Sequence, residues 1–252
     1  MEIQKFKKVG KGKYKIEFNN SELILYEDVI LKYNLLINKK ISIEKMNEIL
    51  EENKYYEAFN IALNYIEIKM RCKKEIIEYL SKKNYDLNII ENILKHLEES
   101  GYINEEKFVI AYINDKLRLT TDGPFKIKQS LINYEINENI IDTHINKIKE
   151  DLWIERIGKI IEKRKKVNKK LSKNAFVNKS YIYLYNLGYE KNQIMNELSK
   201  VTFDNNLLKS DYEKAYKKYY KKYQEKELKY HIIKYLYSKQ YDIDEINEIL
   251  NI

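Results

Sequence analysis

Apolar residues recur every three or four positions along most of residues 44–252. This spacing places them on one face of an α-helix and leaves the other faces to polar and charged residues. The chain has only six glycines and one proline. Because a fold of many strands needs many turn residues, so few breakers favour helices. The pattern predicts a mainly α-helical protein.

A longer period of about 50 residues lies on top of the helical one. Four segments share the order Leu, an apolar residue five positions later, and Ile five positions after that: LSKKNYDLNII, LINYEINENII, LYNLGYEKNQI and LYSKQYDIDEI. Their leucines are 51, 53 and 52 residues apart: Leu80, Leu131, Leu184 and Leu236. We therefore predict tandem three-helix repeats that bury their cores against one another in an elongated array.

The repeats are expected at residues 56–103, 104–150, 151–203 and 204–252, after a connecting helix at 41–55. The helices of the first repeat should lie near 56–69, 73–83 and 87–99. A polar residue precedes the third helix of every repeat, where a side-chain oxygen can accept from free backbone N–H groups. These residues are Asp86, Asn137, Glu190 and Asp242.

Residues 1–40 have a different pattern. YKIEF and ELILY flank Asn19-Asn20-Ser21, a good hairpin turn, and IQKFKKV could supply a third strand with a lysine-rich edge. An amphipathic stretch, EDVILKYNLL, follows. We predict a small β-rich N-terminal module ahead of the repeats.

The stretch LRLTTDGPFKIKQSL contains the only proline, directly after a glycine. Proline fits the first turn of a helix, so Asp122 or Gly123 is the predicted N-cap for a helix that starts at Pro124. This stretch gives the second repeat two residues more than the first repeat has between its Ala and Leu positions. It is expected to close a lengthened turn.

The formal charge is +8, and it is concentrated in the third repeat. Residues 159–179 contain nine Lys or Arg against Glu162 alone. A solvated helical face is the commoner meaning of such a run, but one this one-sided also suits a polyanionic partner.

Tyrosines and lysines alternate near residue 216. Tyr212, Tyr216, Tyr219 and Tyr223 have helical spacing, so they are expected to form a core stripe of the fourth repeat. Base stacking with phosphate contacts is the alternative, and lysines on the other faces stay available for binding.

No catalytic constellation stands out. The three histidines, His96, His144 and His231, lie in predicted helices where structural roles are expected, and no CxxC pair is present. Cys72 lies between Arg71 and Lys73, where a lowered thiol pKa is the alternative to an inert thiol. We expect a non-enzymatic protein without metal or cofactor.

No run of 18 apolar residues and no signal peptide are seen, so the protein is expected in the cytoplasm, away from membranes.

Three linked motifs resemble the RecX family of bacterial regulators of the recombinase RecA: IALNYIEIKMRCKKEIIEYLSKKNYD, ESGYINEEKFVIAYINDKLR and GPFKIKQSLINYEI. The match is strong over residues 56–150, and the remainder resembles longer members from low-GC Gram-positive bacteria. Some positions depart from the family pattern, and most are at predicted turns: Met70, Cys72, Asn104, Glu105, Ser130, Tyr134 and Glu135.

The resemblance implies helical repeats without enzymatic activity. It also implies binding in the groove of the RecA–DNA filament, with inhibition of RecA's ATPase, strand exchange and co-protease activities. A DNA-binding array that uses the basic third repeat without RecA is the alternative. We expect a monomer. The candidate partner-binding cations are Arg71, Lys73, Lys74, Arg118, Lys126, Lys128, Lys163, Arg164, Lys165, Lys166, Lys169 and Lys170.

Overall fold

The computed structural model describes residues 1–19, 21–203 and 206–251. Thirteen helices and one three-stranded sheet are present in this part of the chain, as the helical pattern and the predicted N-terminal module require. The chain divides into two compact units, residues 1–108 and residues 109–252. No helix of the described residues is long and apolar enough to cross a membrane.

The first unit begins with an antiparallel sheet of three strands in sequence order: β1 Ile3–Gly10, β2 Lys13–Phe18 and β3 Glu22–Tyr26. The predicted hairpin and third strand are confirmed, and Asn20 of the predicted turn lies outside the described residues. Helix α1, Glu27–Lys32, follows and buries Val29 and Ile30.

Helix α2, Ile43–Ile68, closes the free edge of β3. The Asn53 side chain accepts from the backbone N–H of Tyr26 at 2.9 Å and donates to the carbonyl of Ile24 at 3.1 Å. A neighbouring strand would make the same two kinds of bond, so one amide satisfies backbone groups that an edge strand leaves open.

The prediction of a separate connecting helix before the first repeat was wrong. Helix α2 has 26 residues and contains both the segment expected to connect and the first helix of the repeat. No glycine or proline interrupts residues 41–68, so the backbone has no reason to break. Helices α3, Lys73–Ser81, and α4, Leu87–Glu99, complete this bundle close to their predicted positions.

The second unit is entirely helical in its described residues, and its boundary with the first unit falls within α5. Its helices are α5 Glu105–Leu119, α6 Pro124–Asn133, α7 Glu138–Ile145, α8 Glu150–Val167, α9 Lys173–Asn186, α10 Lys191–Ser199, α11 Asn206–Tyr219, α12 Glu225–Ser238 and α13 Ile243–Leu250.

The four-copy register is visible in the burial of the core. All four repeat leucines are fully buried, and the isoleucines ten positions later are 0–1% exposed: Ile90, Ile141, Ile194 and Ile246. These two positions hold the second and third helices of each repeat together, because each burial removes a large apolar side chain from water.

Each second helix also ends in the same way. One residue adopts a positive φ of 62–84°, and the N–H of the next residue donates to the carbonyl of the repeat leucine at 3.3 Å. This is the bond pattern of a left-handed C-terminal cap. The positive-φ residues are Asn84, Glu135, Gly188 and Gln240.

All four predicted residues are the N-caps of the third helices, but the predicted side-chain bond to a free backbone N–H forms at only two of them. The side chains of Asn137 and Asp242 accept from the N–H two residues ahead. Asp86 and Glu190 make no such bond. The Asp86 carboxylate instead accepts from Lys54 at 2.8 Å, and this contact takes the place of capping.

Candidate partner-binding surface

The candidate cations of the first repeat have partners within the fold or are partly buried. The Arg71 guanidinium lies 4.0 Å from the Tyr65 ring centroid and donates to Glu75 at 2.8 Å. Lys73 pairs with Glu98 at 2.7 Å, and Lys74 is half-buried in the first turn of α3.

The candidate cations of the second repeat are also paired. Arg118 contacts Asp115 at 3.1 Å on the exposed side of α5, and Lys126 contacts Asp122 at 2.8 Å. Lys128 donates to both oxygens of Asp142 at 2.6 and 2.8 Å. A paired cation has less electrostatic attraction left for an external anion, since its own carboxylate must first be displaced.

Two of the third-repeat cations help to hold that repeat together. The Arg164 guanidinium lies 4.1 Å from the Tyr183 ring centroid and donates to Ser180 Oγ at 3.3 Å, which joins α8 to α9. Lys165 Nζ donates to the carbonyl of Thr202 and lies 5.3 Å from the Phe203 ring centroid. Both side chains therefore stabilise the fold of the third repeat, whether or not they also bind a partner.

The remaining four candidates form what we term the lysine face: Lys163, Lys166, Lys169 and Lys170. All four are exposed, and none has an ion pair within the described residues. Helix α8 turns its apolar side inward, where Trp153, Ile157 and Ile161 are buried, so its Lys163 and Lys166 are left in solvent. Lys169 and Lys170 lie in the turn that follows the helix. Cations at a helix C-terminus are also favoured by its dipole.

The turn that contains Pro124 does more than join two helices. Gly123 is the N-cap of α6 and Pro124 is its first residue. This confirms the helix start at Pro124 and selects Gly123 from the two predicted caps. Asp122, the other predicted cap, is buried and pairs instead with Lys116 at 3.1 Å and Lys126 at 2.8 Å. The end of α9 docks here, since Gly123 N–H donates to the carbonyl of Leu187 at 2.7 Å.

Sequence reasoning missed Arg156, which joins this turn to α8. Its guanidinium donates to the carbonyls of Leu117 at 2.6 Å and Thr120 at 2.7 Å. The hydroxyl of Tyr189 donates to the carbonyl of Thr121 at 3.1 Å. The only signal in the sequence is an arginine among apolar residues in WIERIGKII.

The charge of Asp122 is stabilised by its two lysines. Burial acts to raise the pKa of the carboxyl, but the hydrogen bonds from Lys126 and Lys116 outweigh it and hold the pKa below its usual value. The carboxylate is therefore ionised at neutral pH and keeps α5 and α6 together at the turn.

The histidines and the cysteine, which are the candidate reactive side chains, lie within helices or at a helix N-cap. The His96 ring stacks on Phe59 at 4.4 Å and its Nδ1 lies 2.8 Å from the Tyr55 hydroxyl. His231 stacks on Tyr223 at 3.9 Å, and His144 lies in α7. The alternative of a lowered thiol pKa at Cys72 is contradicted, because burial raises the pKa of this thiol.

No group of three or more His, Cys, Asp or Glu side chains in the described ranges could hold a metal ion.

The tyrosine stripe of the fourth repeat is only partly a core stripe. Tyr212, Tyr219 and Tyr223 are half-buried, but Tyr216 is exposed.

The comparisons with known proteins agree with this architecture. The family model of the first three-helix domain of RecX matches residues 58–97. The Regulatory protein RecX of Halalkalibacterium halodurans is 30% identical over 231 residues, which are 89% of this chain and 87% of that protein. The chain belongs to the RecX family. The Regulatory protein RecX of Streptococcus agalactiae serotype III is 31% identical and covers 99% of this chain and 98% of its own.

Two solved RecX structures have the same fold. A regulatory protein RecX superposes with a TM-score of 0.68 at 20% identity, over 77% of this chain and 97% of its own. RecX from Lactobacillus salivarius gives a TM-score of 0.55 at 22% identity, over 59% of this chain and 97% of its own. The described chain thus shares the fold of these two solved RecX proteins, a fold that here consists of helical repeats behind a small sheet.

Proposed function

We propose that this RecX-family protein binds the RecA filament on DNA and restrains its ATPase and recombinase activities. Family membership supports a regulatory role, and the RecA filament is the target that the motifs of the first two repeats imply. The observation that carries the mode of binding is the lysine face, because it is a concentration of exposed cations that make no ion pair within the described fold.

A nucleoprotein filament exposes phosphates and acidic side chains along a helical groove. Lysines act as mobile point charges toward such a surface and lose little when they are already in solvent. Arg164 and Lys165 lie beside the lysine face but are committed to Tyr183 and to Thr202 and Phe203. Among the candidate cations, the lysine face therefore supplies most of the attraction.

The test reverses the four charges of the lysine face in one variant, K163E/K166E/K169E/K170E. The fold should be retained, because exposed substitutions away from caps and buried networks change stability little. Inhibition of RecA's DNA-dependent ATPase should weaken at least tenfold, a loss of about 1.4 kcal/mol in binding. Its salt dependence should become shallower, since fewer counterions are released.

A matched control carries the same change in net charge elsewhere. Lys7, Lys8, Lys11 and Lys39 are exposed lysines of the N-terminal module, and K7E/K8E/K11E/K39E should inhibit nearly as well as the parent. Equal losses in both variants would mean that net charge alone governs binding. Undiminished inhibition by the lysine-face variant across a salt series would exclude this surface.

The alternative is a DNA-binding array that acts without RecA. The nine basic residues against one acidic residue in 159–179 favour it. A pull-down that compares RecA filaments with bare DNA separates the two: preferential capture on filaments supports RecA as the target, whereas equal capture on bare DNA with a steep salt dependence supports the alternative.

A further inference from the structure

Two tyrosines at the end of α11 are exposed side by side. Tyr216 and Tyr220 are each 44% exposed, and their rings are parallel within 4° with centroids 5.6 Å apart. They lie four residues apart, on one face of the helix and the turn that follows it. We term them the tyrosine pair.

The core of the fourth repeat does not need the tyrosine pair. The inward side of α11 is occupied by Ala215, which is buried, and by Tyr219, which packs against that core. Tyr219 and Tyr223 also stack on His231 at 5.5 and 3.9 Å. The pair therefore presents part of its flat ring surface to solvent and is not among the side chains that pack against that core.

Lysines surround the tyrosine pair. Lys209, Lys217, Lys221 and Lys222 are exposed and have no ion pair within the described residues. Lys221 Nζ lies 5.7 Å from the Tyr220 ring centroid. Glu213 is the one exposed carboxylate within α11, so the surface is strongly positive.

We infer that this face of the fourth repeat binds single-stranded nucleic acid, with unpaired bases stacked on Tyr216 and Tyr220 and phosphates held by the lysines around them. Aromatic rings combined with a positive track are the elements of sequence-tolerant single-strand binding, because every base has a ring face to offer. In a duplex those ring faces are already stacked on neighbouring base pairs, so a duplex can use the lysines but not the tyrosines. The site is separate from the lysine face and requires no RecA.

The test measures binding of the full chain, without RecA, to fluorescent oligo-dT about 16 nucleotides long. The Y216L/Y220L variant should bind at least tenfold more weakly by anisotropy, while the slope of affinity against salt stays the same because the phosphate contacts remain. Y216F/Y220F should restore binding, since phenylalanine keeps the ring face. K217E/K221E should weaken binding and reduce the salt slope by about 1.4.

A matched control pair exists on α9. The rings of Tyr181 and Tyr185 are also stacked, at 6.0 Å and 15°, and Tyr185 is 59% exposed, but no lysines alternate with them. Y181L/Y185L should leave oligo-dT affinity unchanged. An equal loss in this control would assign the effect to aromatic surface in general and overturn the proposal.

Oligo-rU and a DNA duplex of the same length complete the experiment. Binding of oligo-dT or oligo-rU that depends on the tyrosine pair supports the site, and the duplex should be insensitive to Y216L/Y220L. Parental affinity of that variant for both single strands would refute the site. Because RecA is absent from every arm, this result stands whether or not the lysine face restrains the filament.

Discussion

Two contacts between neighbouring repeats, one between the second and third and one between the third and fourth, join equivalent helix ends through different kinds of hydrogen bond. In both, the end of a second helix docks on the start of the second helix of the preceding repeat. At the first contact, backbone meets backbone, since Gly123 N–H donates to the carbonyl of Leu187 at 2.7 Å. At the second, the Ser172 hydroxyl donates to the carbonyl of Lys239 at 2.6 Å.

The difference explains where the chain needs glycine. A Cβ on Gly123 would lie 2.6 Å from the carbonyl oxygen of Gly188, and a Cβ on Gly188 would overlap the backbone nitrogen of Lys126. Gln240 has a positive φ of 63° without being glycine, so conformation alone does not demand glycine at this cap. Glycine is required where two backbones touch, and serine suffices where a side chain bridges them.

The largest effect should come from filling the glycine contact. Gly188→Ala is expected to destabilise by roughly 2–5 kcal/mol, because a Cβ both strains a positive φ and forces the two helices apart. Gln240→Ala at the equivalent cap should cost less than about 1 kcal/mol, since the original residue already carries a Cβ. Urea midpoints of the two variants test this, and equal midpoints would show that the backbones are not in close contact.

The next effect concerns the polar bonds at each contact. Arg156→Ala should cost about 2–3 kcal/mol, because it removes charge-assisted bonds to the Leu117 and Thr120 carbonyls. Ser172→Ala should cost about 1 kcal/mol through loss of a cap that also bonds to Lys239. Thermal unfolding ranks the two. A larger loss for Ser172→Ala would contradict this ranking, in which the charge-assisted bonds of Arg156 outweigh the neutral bonds of Ser172.

Acid should weaken the turn at the first contact. The pKa of Asp122 is lower in the folded chain than its usual value, so the stability it contributes is present above the usual carboxyl pKa and is lost as pH falls through the lowered value. Asp122→Asn should cost about 1 kcal/mol at pH 7. It should flatten the fall in stability below about pH 4, as followed by urea unfolding across pH. A parental acid profile in that variant would contradict the assignment.

The smallest effect should come from the only proline. Pro124→Ala is expected to cost about 1 kcal/mol or less, because alanine fits the first helical turn and the main loss is a less restricted unfolded chain. A midpoint close to that of the parent is the expected result. Failure of this variant to fold would mean that the docked turn depends on the proline ring itself.

Much of the fold follows from local patterns. The repeat register could be found because Leu and Ile positions that must be buried recur at fixed helical spacing. The prediction that the tyrosine stripe belongs to the core was only partly right, since the sequence does not show which of two adjacent helical faces meets the core. Separate helices at 41–55 and 56–69 were predicted although nothing in residues 41–68 breaks a helix. The division into repeats at residues 103, 150 and 203 stays a prediction.

The sequence by itself determined the helical class, the N-terminal sheet, the four-copy register and the concentration of positive charge, because each follows from the order and spacing of residues along the chain. Only the tertiary structure decided which cations are left over for a partner. Lys126 and Lys128 look like Lys166 and Lys169 in the sequence, yet the first two meet carboxylates and the last two meet none in the described fold. Likewise, Arg156 bonds to carbonyls 36 and 39 residues away. Such pairings depend on how whole helices pack, and no local spacing encodes them.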